Sequence, residues 1–206
     1  MANPLLASLR ATHLLPSAVI PADFNPMFTL TVHFPASNTP VTVSNGTLVR
    51  VNQVREAPII SVTRLAPASS DTPTESPKAE QKVTLMLLDP DAPTPDDPKF
   101  AYWRHWVVSN ISLPGNQAAA HEITGTGRTL TEYLAPGPKD ESGPHRYLFL
   151  LFLESDGGLV LEKGDVGGEA FVDRRSFGVE AFVERCGLRL VAVEWMRGVG
   201  DGWVGE

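Results

Sequence analysis

Two apolar runs constrain the fold most. Tyr147-Leu-Phe-Leu-Leu-Phe-Leu153 is apolar throughout, and Val83-Thr-Leu-Met-Leu-Leu88 is broken only by one threonine. Runs this short, bounded by polar and proline-rich stretches, fit buried strands, and the first reads as a central strand. Phe28-Thr-Leu-Thr-Val-His-Phe34 alternates at period two, the pattern of a strand with one covered face. Further strands are expected at 47–54, after a tight turn at Asn45-Gly46, and at 58–65, 106–111 and 188–195. The 17 glycines and 18 prolines suit irregular loops between strands and not a helical bundle.

Helical signals are few. Leu5, Leu6 and Leu9 share a face, with Asn3 placed to cap and Pro4 suited to the first helical position. Phe177, Ala181, Phe182 and Cys186 share another, ending at Gly187. A helical turn is expected at 129–134. The tail after Trp195 is glycine-rich, and little structure is expected there. The chain of 206 residues fits a single domain with a substantial core. That domain is read as mainly β over 23–206, with 1–22 as an N-terminal extension. Residues 67–81, poor in large apolar side chains, read as an exposed insertion.

The formal charge of -7 argues against general nucleic-acid binding, though not against a small anion held by a local field. The single cysteine, Cys186, allows neither an internal disulfide nor a cysteine-based zinc set. Residues 1–22 lack the order of a signal peptide, and no run reaches the roughly 18 apolar residues of a membrane span, so a cytoplasmic location is expected.

The chemistry concentrates after the first buried run, in Asp89-Pro-Asp-Ala-Pro93. Asp89 and Asp91 would share a face of a regular strand, but Pro90 and Pro93 mark the strand's exit. The pair reads either as a turn with solvated acids or as carboxylates fixed at a pocket edge. A metal set of Asp89, Asp91, His105 and His145 is a weaker reading, because no standard ligand spacing occurs. Tyr102, Trp103, His105 and Trp106 supply an aromatic wall, indole donors and an imidazole. His105 is either a pocket donor or a core histidine beneath that wall. Gly137-Pro138 and the Ser142–Tyr147 stretch offer a second edge, with a backbone donor at Gly137, an anion partner at His145 and a hydroxyl at Tyr147. Arg146, alternating with its neighbours, reads as an ion-pair partner for an acid of the aspartate-rich loop.

Asp89-Pro-Asp-Ala-Pro93, Asp97-Pro98-Lys99, Trp103-Arg-His105 and Gly143-Pro-His145-Arg146-Tyr147 together closely resemble the phosphatidylethanolamine-binding protein family, also called the Raf kinase inhibitor-like family. The resemblance covers about residues 26–195. It implies a large antiparallel sheet packed on a smaller sheet, with peripheral helices and a cavity for phosphate-like anions or phospholipid head groups. By that resemblance Asp89, His105, Gly137, His145 and Tyr147 contact the ligand. Pro93, Trp103 and Pro138 shape the rim, and Asp91 and Arg146 support the wall. Neither a metal nor another cofactor is implied.

The family's animal members close the cavity with a tyrosine on a C-terminal helix. Here no tyrosine follows Tyr147, and Trp195 or Trp203 is the available substitute. The N-terminal segment is similar to that of fungal members, one of which inhibits a vacuolar serine carboxypeptidase. Ser109 and Ser112 lie near His105 but outside a G-x-S-x-G context, so no enzymatic function is expected. The leading expectation is a non-enzymatic binder of phosphate-like anions or phospholipid head groups that modulates protein partners. A serine carboxypeptidase inhibitor and a kinase-pathway regulator are the alternatives.

Overall fold

A computed structural model describes residues 3–35, 39–66, 80–114, 119–155 and 160–205. In chain order its elements are α1 (Pro4–Ala11), β1 (Phe28–Phe34), β2 (Val41–Val43), β3 (Thr47–Arg50), β4 (Ile59–Arg64), β5 (Glu80–Asp89), β6 (Trp103–Pro114), β7 (His121–Glu122) and β8 (Arg128–Thr131). After these come β9 (His145–Leu153), α2 (Lys163–Val166), α3 (Val179–Arg185) and β10 (Arg189–Val199). The large sheet runs β3-β10-β9-β5-β6-β8 and the small sheet β2-β1-β4-β7.

The apolar runs become β5 and β9, which pair antiparallel at the centre of the large sheet. Both faces of these strands are covered, which is why neither alternates. Leu85, Leu87, Tyr147, Phe149 and Leu151 face the small sheet, where Phe28, Leu30, Val32 and Phe34 of β1 complete one core. Met86, Leu88, Leu148, Leu150 and Phe152 face the other way, into a second core. That core is closed by Leu9, Leu14, Leu15, Val19, Ile20 and Phe24 from the N-terminal segment, and by Val179, Phe182 and Cys186 on and after α3. Burial of each such side chain is worth about 1.5–3 kcal/mol before ordering costs, so the N-terminal segment is an integral wall of the fold. Its helix starts as the sequence indicates: Asn3 accepts from the Leu5 amide at 3.0 Å, with Pro4 in the first turn.

The structure corrects several expectations. The large sheet is mixed, because β3 pairs parallel with β10 while the other pairings are antiparallel. The Asn45-Gly46 turn docks on β10 first, with the Gly46 amide donating to the Trp195 carbonyl at 2.9 Å, and then sends β3 along β10. Gly46 has φ +90, and a Cβ there would strike the Trp195 ring. Stretch 129–134 is not a helical turn. Its β-branched threonines pair as edge strand β8 along β6. The strand expected at 47–54 stops at Arg50, where Gln53 Oε1 accepts from the Arg50 amide at 2.8 Å and starts a tight turn.

Of the expected insertion at 67–81, residues 67–79 lie outside the described residues. Glu80 and Gln81 belong to β5, and Gln81 accepts from Arg64 at 2.7 Å. The last strand runs to Val199, and the tail beyond it is held. The Arg50 guanidinium donates to the Gly200, Asp201 and Trp203 carbonyls, and the Gly202 amide donates to Asp140 at 3.0 Å. No helix among the described residues is long and apolar enough to cross a membrane.

Candidate functional site

Where β5 ends, the Asp91 amide donates to Asp89 Oδ1 at 2.7 Å. That turn separates two carboxylates which a straight strand would hold on one face. Both are buried. Asp91 faces Arg146, which donates to it from its backbone amide at 2.7 Å, from Nε at 2.9 Å and from Nη2 at 2.6 Å. The pair raises the Arg146 pKa, chiefly through these hydrogen bonds. Arg146 Nη1 also reaches the Thr12 carbonyl at 2.8 Å, tying the N-terminal segment to the end of the sheet.

Asp89 turns inward. Its Oδ2 accepts from His145 Nδ1 at 2.9 Å, while His145 Nε2 lies 3.1 Å from Ser142 Oγ. His145 and Tyr147 share one face of β9, as residues two apart must, and Arg146 takes the other. The Tyr147 ring stacks on His145 at 14° and meets His105 edge-on at 5.4 Å. Gly198 on β10 lies against that ring: a Cβ there would come within 2.6 Å of Tyr147 Cε2. Burial and then the Asp89 charge push the Tyr147 hydroxyl well above its ordinary pKa, so it stays protonated.

Trp103 and His105 come from one face of β6. His105 Nδ1 donates to the Leu134 carbonyl at 2.7 Å, and the Leu134 amide returns a bond to the His105 carbonyl at 2.9 Å. Burial lowers the His105 pKa, against an opposing pull from Asp89. At neutral pH the ring is therefore neutral, with its proton on Nδ1 and a lone pair on Nε2. Arg174 braces this stretch by donating to the His105 and Glu132 carbonyls at 3.1 and 2.8 Å. The Trp103 indole N–H is buried with no acceptor among the described residues, and the residue is only 7% exposed.

These groups line one cavity of about 260 Å³. Asp89, His105, His145 and Tyr147 supply its polar surface, with Gly137, Pro138, Pro93 and Trp103 around them. Asp91 and Arg146 lie behind this wall and hold it. Ala92, Leu134, Ala135, Lys139 and Phe171 also line the cavity and were not singled out by the sequence. Leu134 acts through its carbonyl, which has no residue signature. Phe171 is a large, 61% exposed aromatic within a polar stretch, and that contrast was the available signal. It packs edge-on against Trp103 at 4.7 Å.

Neither tryptophan considered as a C-terminal closure lines the cavity. Trp195 is buried beneath α1, donating to Ser8 Oγ at 3.1 Å, and Trp203 lies in the tail held by Arg50. The four residues of the weaker metal reading do not converge, since Asp91 is committed to Arg146, and no group of three or more metal-ligating side chains occurs among the described residues. Ser109 is buried in β6, and Ser112 accepts from Lys82 at 2.5 Å. Ser142, His145 and Asp89 do stand in the order of a hydrolytic triad. However, Ser142 Oγ also donates to the Lys139 carbonyl at 2.9 Å and does not line the cavity. A nucleophile must face the bound substrate, and this one does not.

Comparison with known proteins identifies similar chains. The chain is 32% identical over 100 residues to an uncharacterized protein of Saccharomyces cerevisiae, YLR179C, a match covering 48% of this chain and 50% of that one. The matched stretch thus spans about half the length of this relative. The chain is 28% identical over 171 residues to the carboxypeptidase Y inhibitor of Saccharomyces cerevisiae, covering 76% of each. Its fold matches the crystal structure of carboxypeptidase Y inhibitor complexed with the cognate proteinase, with a TM-score of 0.76 at 24% identity, over 96% of this chain and 95% of that one. The family model described as phosphatidylethanolamine-binding protein matches residues 61–188, a span that holds every residue lining the cavity. The chain belongs to the phosphatidylethanolamine-binding protein family.

Proposed function

We propose that the cavity binds a small ligand bearing a phosphate-like oxyanion, free or as a phospholipid head group, and that the protein is a non-catalytic binder that modulates protein partners. The observation that carries this reading is the meeting of Asp89, His105, His145 and Tyr147 in one cavity of about 260 Å³, whose lining also holds Gly137 and Lys139. The Tyr147 hydroxyl is shared with Asp89, and Lys139 adds a cation to the lining. A volume of about 260 Å³ suits a head group but not a lipid's acyl chains, which would lie outside. The family is one of non-catalytic binders, and the outward-facing Ser142 fits that character.

Calorimetric titration with inorganic phosphate and phosphoethanolamine tests the reading. Lys139→Ala removes the cation of the lining, and it is expected to weaken binding about threefold. The double variant His105→Ala, His145→Ala is expected to abolish binding while the protein stays folded. Equal affinities in wild type and both variants would refute this use of the cavity.

A second reading, inhibition of a serine carboxypeptidase, is supported by the similarity to the carboxypeptidase Y inhibitor over 76% of both chains. Steady-state peptide cleavage by carboxypeptidase Y with the intact protein tests it, and undiminished cleavage at saturating protein would end it. Regulation of a kinase pathway rests on family resemblance alone.

A further inference from the structure

Beside the cavity the protein leaves apolar surface in water. Among the exposed large apolar side chains of the described residues, only Phe171 and Val172 are neighbours in the chain, at 61% and 59% exposure. They open the tight turn Phe171–Arg174, and Phe171 also lines the cavity. Exposed apolar side chains that stand together, next to a binding site, mark a contact surface.

Arg175 follows that turn. Its guanidinium lies over three rings, 4.4 Å from the Phe100 centroid, 5.7 Å from Phe171 and 5.8 Å from Trp103. Its Nε has no acceptor among the described residues, and no carboxylate there pairs with it. Stacking on aromatic faces fixes a guanidinium in place and leaves its terminal N–H groups to donate. Such donors suit a phosphate, whose oxygens accept two of them at once.

Turn, ring platform and cavity wall form one surface. The Ser176 amide donates to the Phe100 carbonyl at 3.0 Å, and the Phe100 amide donates to the carbonyl of cavity-lining Ala92 at 2.9 Å. Lys99 adds an ammonium 5.9 Å from the Phe100 centroid. The nearby acids are directed elsewhere. Asp97 is held by Lys99 at 2.8 Å and Glu169 by Lys163 at 2.9 Å, while Asp173 lies against Gly168.

The cavity takes a head group and leaves acyl chains outside. A lipid still in its bilayer is therefore reached only with the mouth turned to the membrane. An apolar pair backed by a cation is the composition of an interfacial contact, in which the apolar groups enter the acyl boundary and the cation stays at the level of the phosphates. We infer that Phe171 and Val172, with Arg175 behind them, form a docking lip that seats the cavity mouth on a zwitterionic phospholipid surface, Arg175 meeting the phosphate of a lipid beside the one in the cavity. The inference rests on the head-group reading above and adds where the ligand is met. The formal charge of -7 selects the zwitterionic surface, because an anionic one repels the protein as a whole.

The test is flotation of the intact protein with vesicles of equal parts phosphatidylcholine and phosphatidylethanolamine, beside calorimetric titration with soluble phosphoethanolamine. Wild type is expected to float with the vesicles. Phe171→Ser with Val172→Ser should weaken partition about tenfold or more, through the apolar area lost. Val172→Ser with Arg175→Gln should weaken it about tenfold as well. Neither of those two residues lines the cavity, so phosphoethanolamine affinity of this second variant should stay within about threefold of wild type.

Phosphoethanolamine binding without vesicle partition would overturn the inference and leave the cavity reading standing. Partition that neither variant weakens, or that appears only when phosphatidylserine is added, would overturn it too. So would unchanged partition of Val172→Ser with Arg175→Gln combined with reduced inhibition of carboxypeptidase Y, which would give the lip to a protein partner. Partition that both variants weaken, without phosphoethanolamine binding, would refute the cavity reading instead and support the lip as a membrane contact.

Discussion

Asp91→Asn is expected to uncouple stability from ligand binding. Asp91 is buried and receives the Arg146 amide, Nε and Nη2. Asparagine keeps one carbonyl oxygen but turns an amide against the guanidinium and removes the negative charge. Removing one partner of a buried ion pair costs about 3–5 kcal/mol. The Arg146 side chain is 30% exposed and keeps its bond to the Thr12 carbonyl, so water recovers part of that loss. The expected destabilisation is about 2–3 kcal/mol, or about 4–12 °C in melting temperature for a domain of this size. Ligand affinity should change less than about threefold, because Asp91 does not line the cavity and its amide, the group that Asp89 uses, is unaltered. Asp89→Leu should show the opposite balance, with affinity lost more than stability. Thermal melting and phosphate titration on both variants, measured separately, check this. Unchanged melting of Asp91→Asn, or a larger affinity loss there than in Asp89→Leu, would refute the division between support and contact.

Gly198→Ala places a methyl where Tyr147 Cε2 lies 2.6 Å away. Overpacking of this kind costs about 1–3 kcal/mol, and titration should show weaker anion binding as the ring shifts. Deleting residues 1–16 removes the buried Leu9, Leu14 and Leu15, each worth about 1.5–3 kcal/mol, so urea unfolding should show a marked loss of stability. Arg10→Gln with Ala11→Gln on the exposed face of α1 should instead leave stability within about 0.5 kcal/mol. If α1 grips a carboxypeptidase, cleavage assays will show reduced inhibition by that double variant. His105 is held below its ordinary pKa by burial, so its contribution is present above the unfolded value near 6.5 and is lost as pH falls from there toward the lower folded value. Urea midpoints between pH 5 and 7 should fall more steeply for wild type than for His105→Asn.

Legibility in the sequence followed the reach of each interaction. Strands with strong local pattern were readable: 28–34 alternates because one face is covered, and 147–153 is apolar because both are. The Asp89 and His145 blocks were readable because prolines, acids and histidines in that order carry the family resemblance. What escaped depended on contacts between distant segments. Nothing local in 47–50 says that it will lie parallel to β10, since the direction is set where the Gly46 turn meets Trp195. Strand β8 owes its existence to β6, not to any period of its own. Arg174 serves the site through two backbone carbonyls, so neither its identity nor its spacing marks it. Phe171 could have been noticed as an isolated aromatic in a polar stretch, but its neighbour Trp103 is far away in sequence.

The cavity joins parts of the molecule that should differ greatly in how often they open. His145 and Tyr147 sit on β9, and Asp89 ends β5, two strands covered on both faces. Amides of such strands exchange with solvent only on near-global unfolding, whereas loop segments open with little free-energy cost. Gly137, Lys139 and Phe171 belong to loop or single-turn segments, so their exchange should be faster by orders of magnitude. On the proposed reading, a charged head would be held by the slowest-opening strands, while the lip that meets the rest of the ligand would adjust many times over without disturbing it.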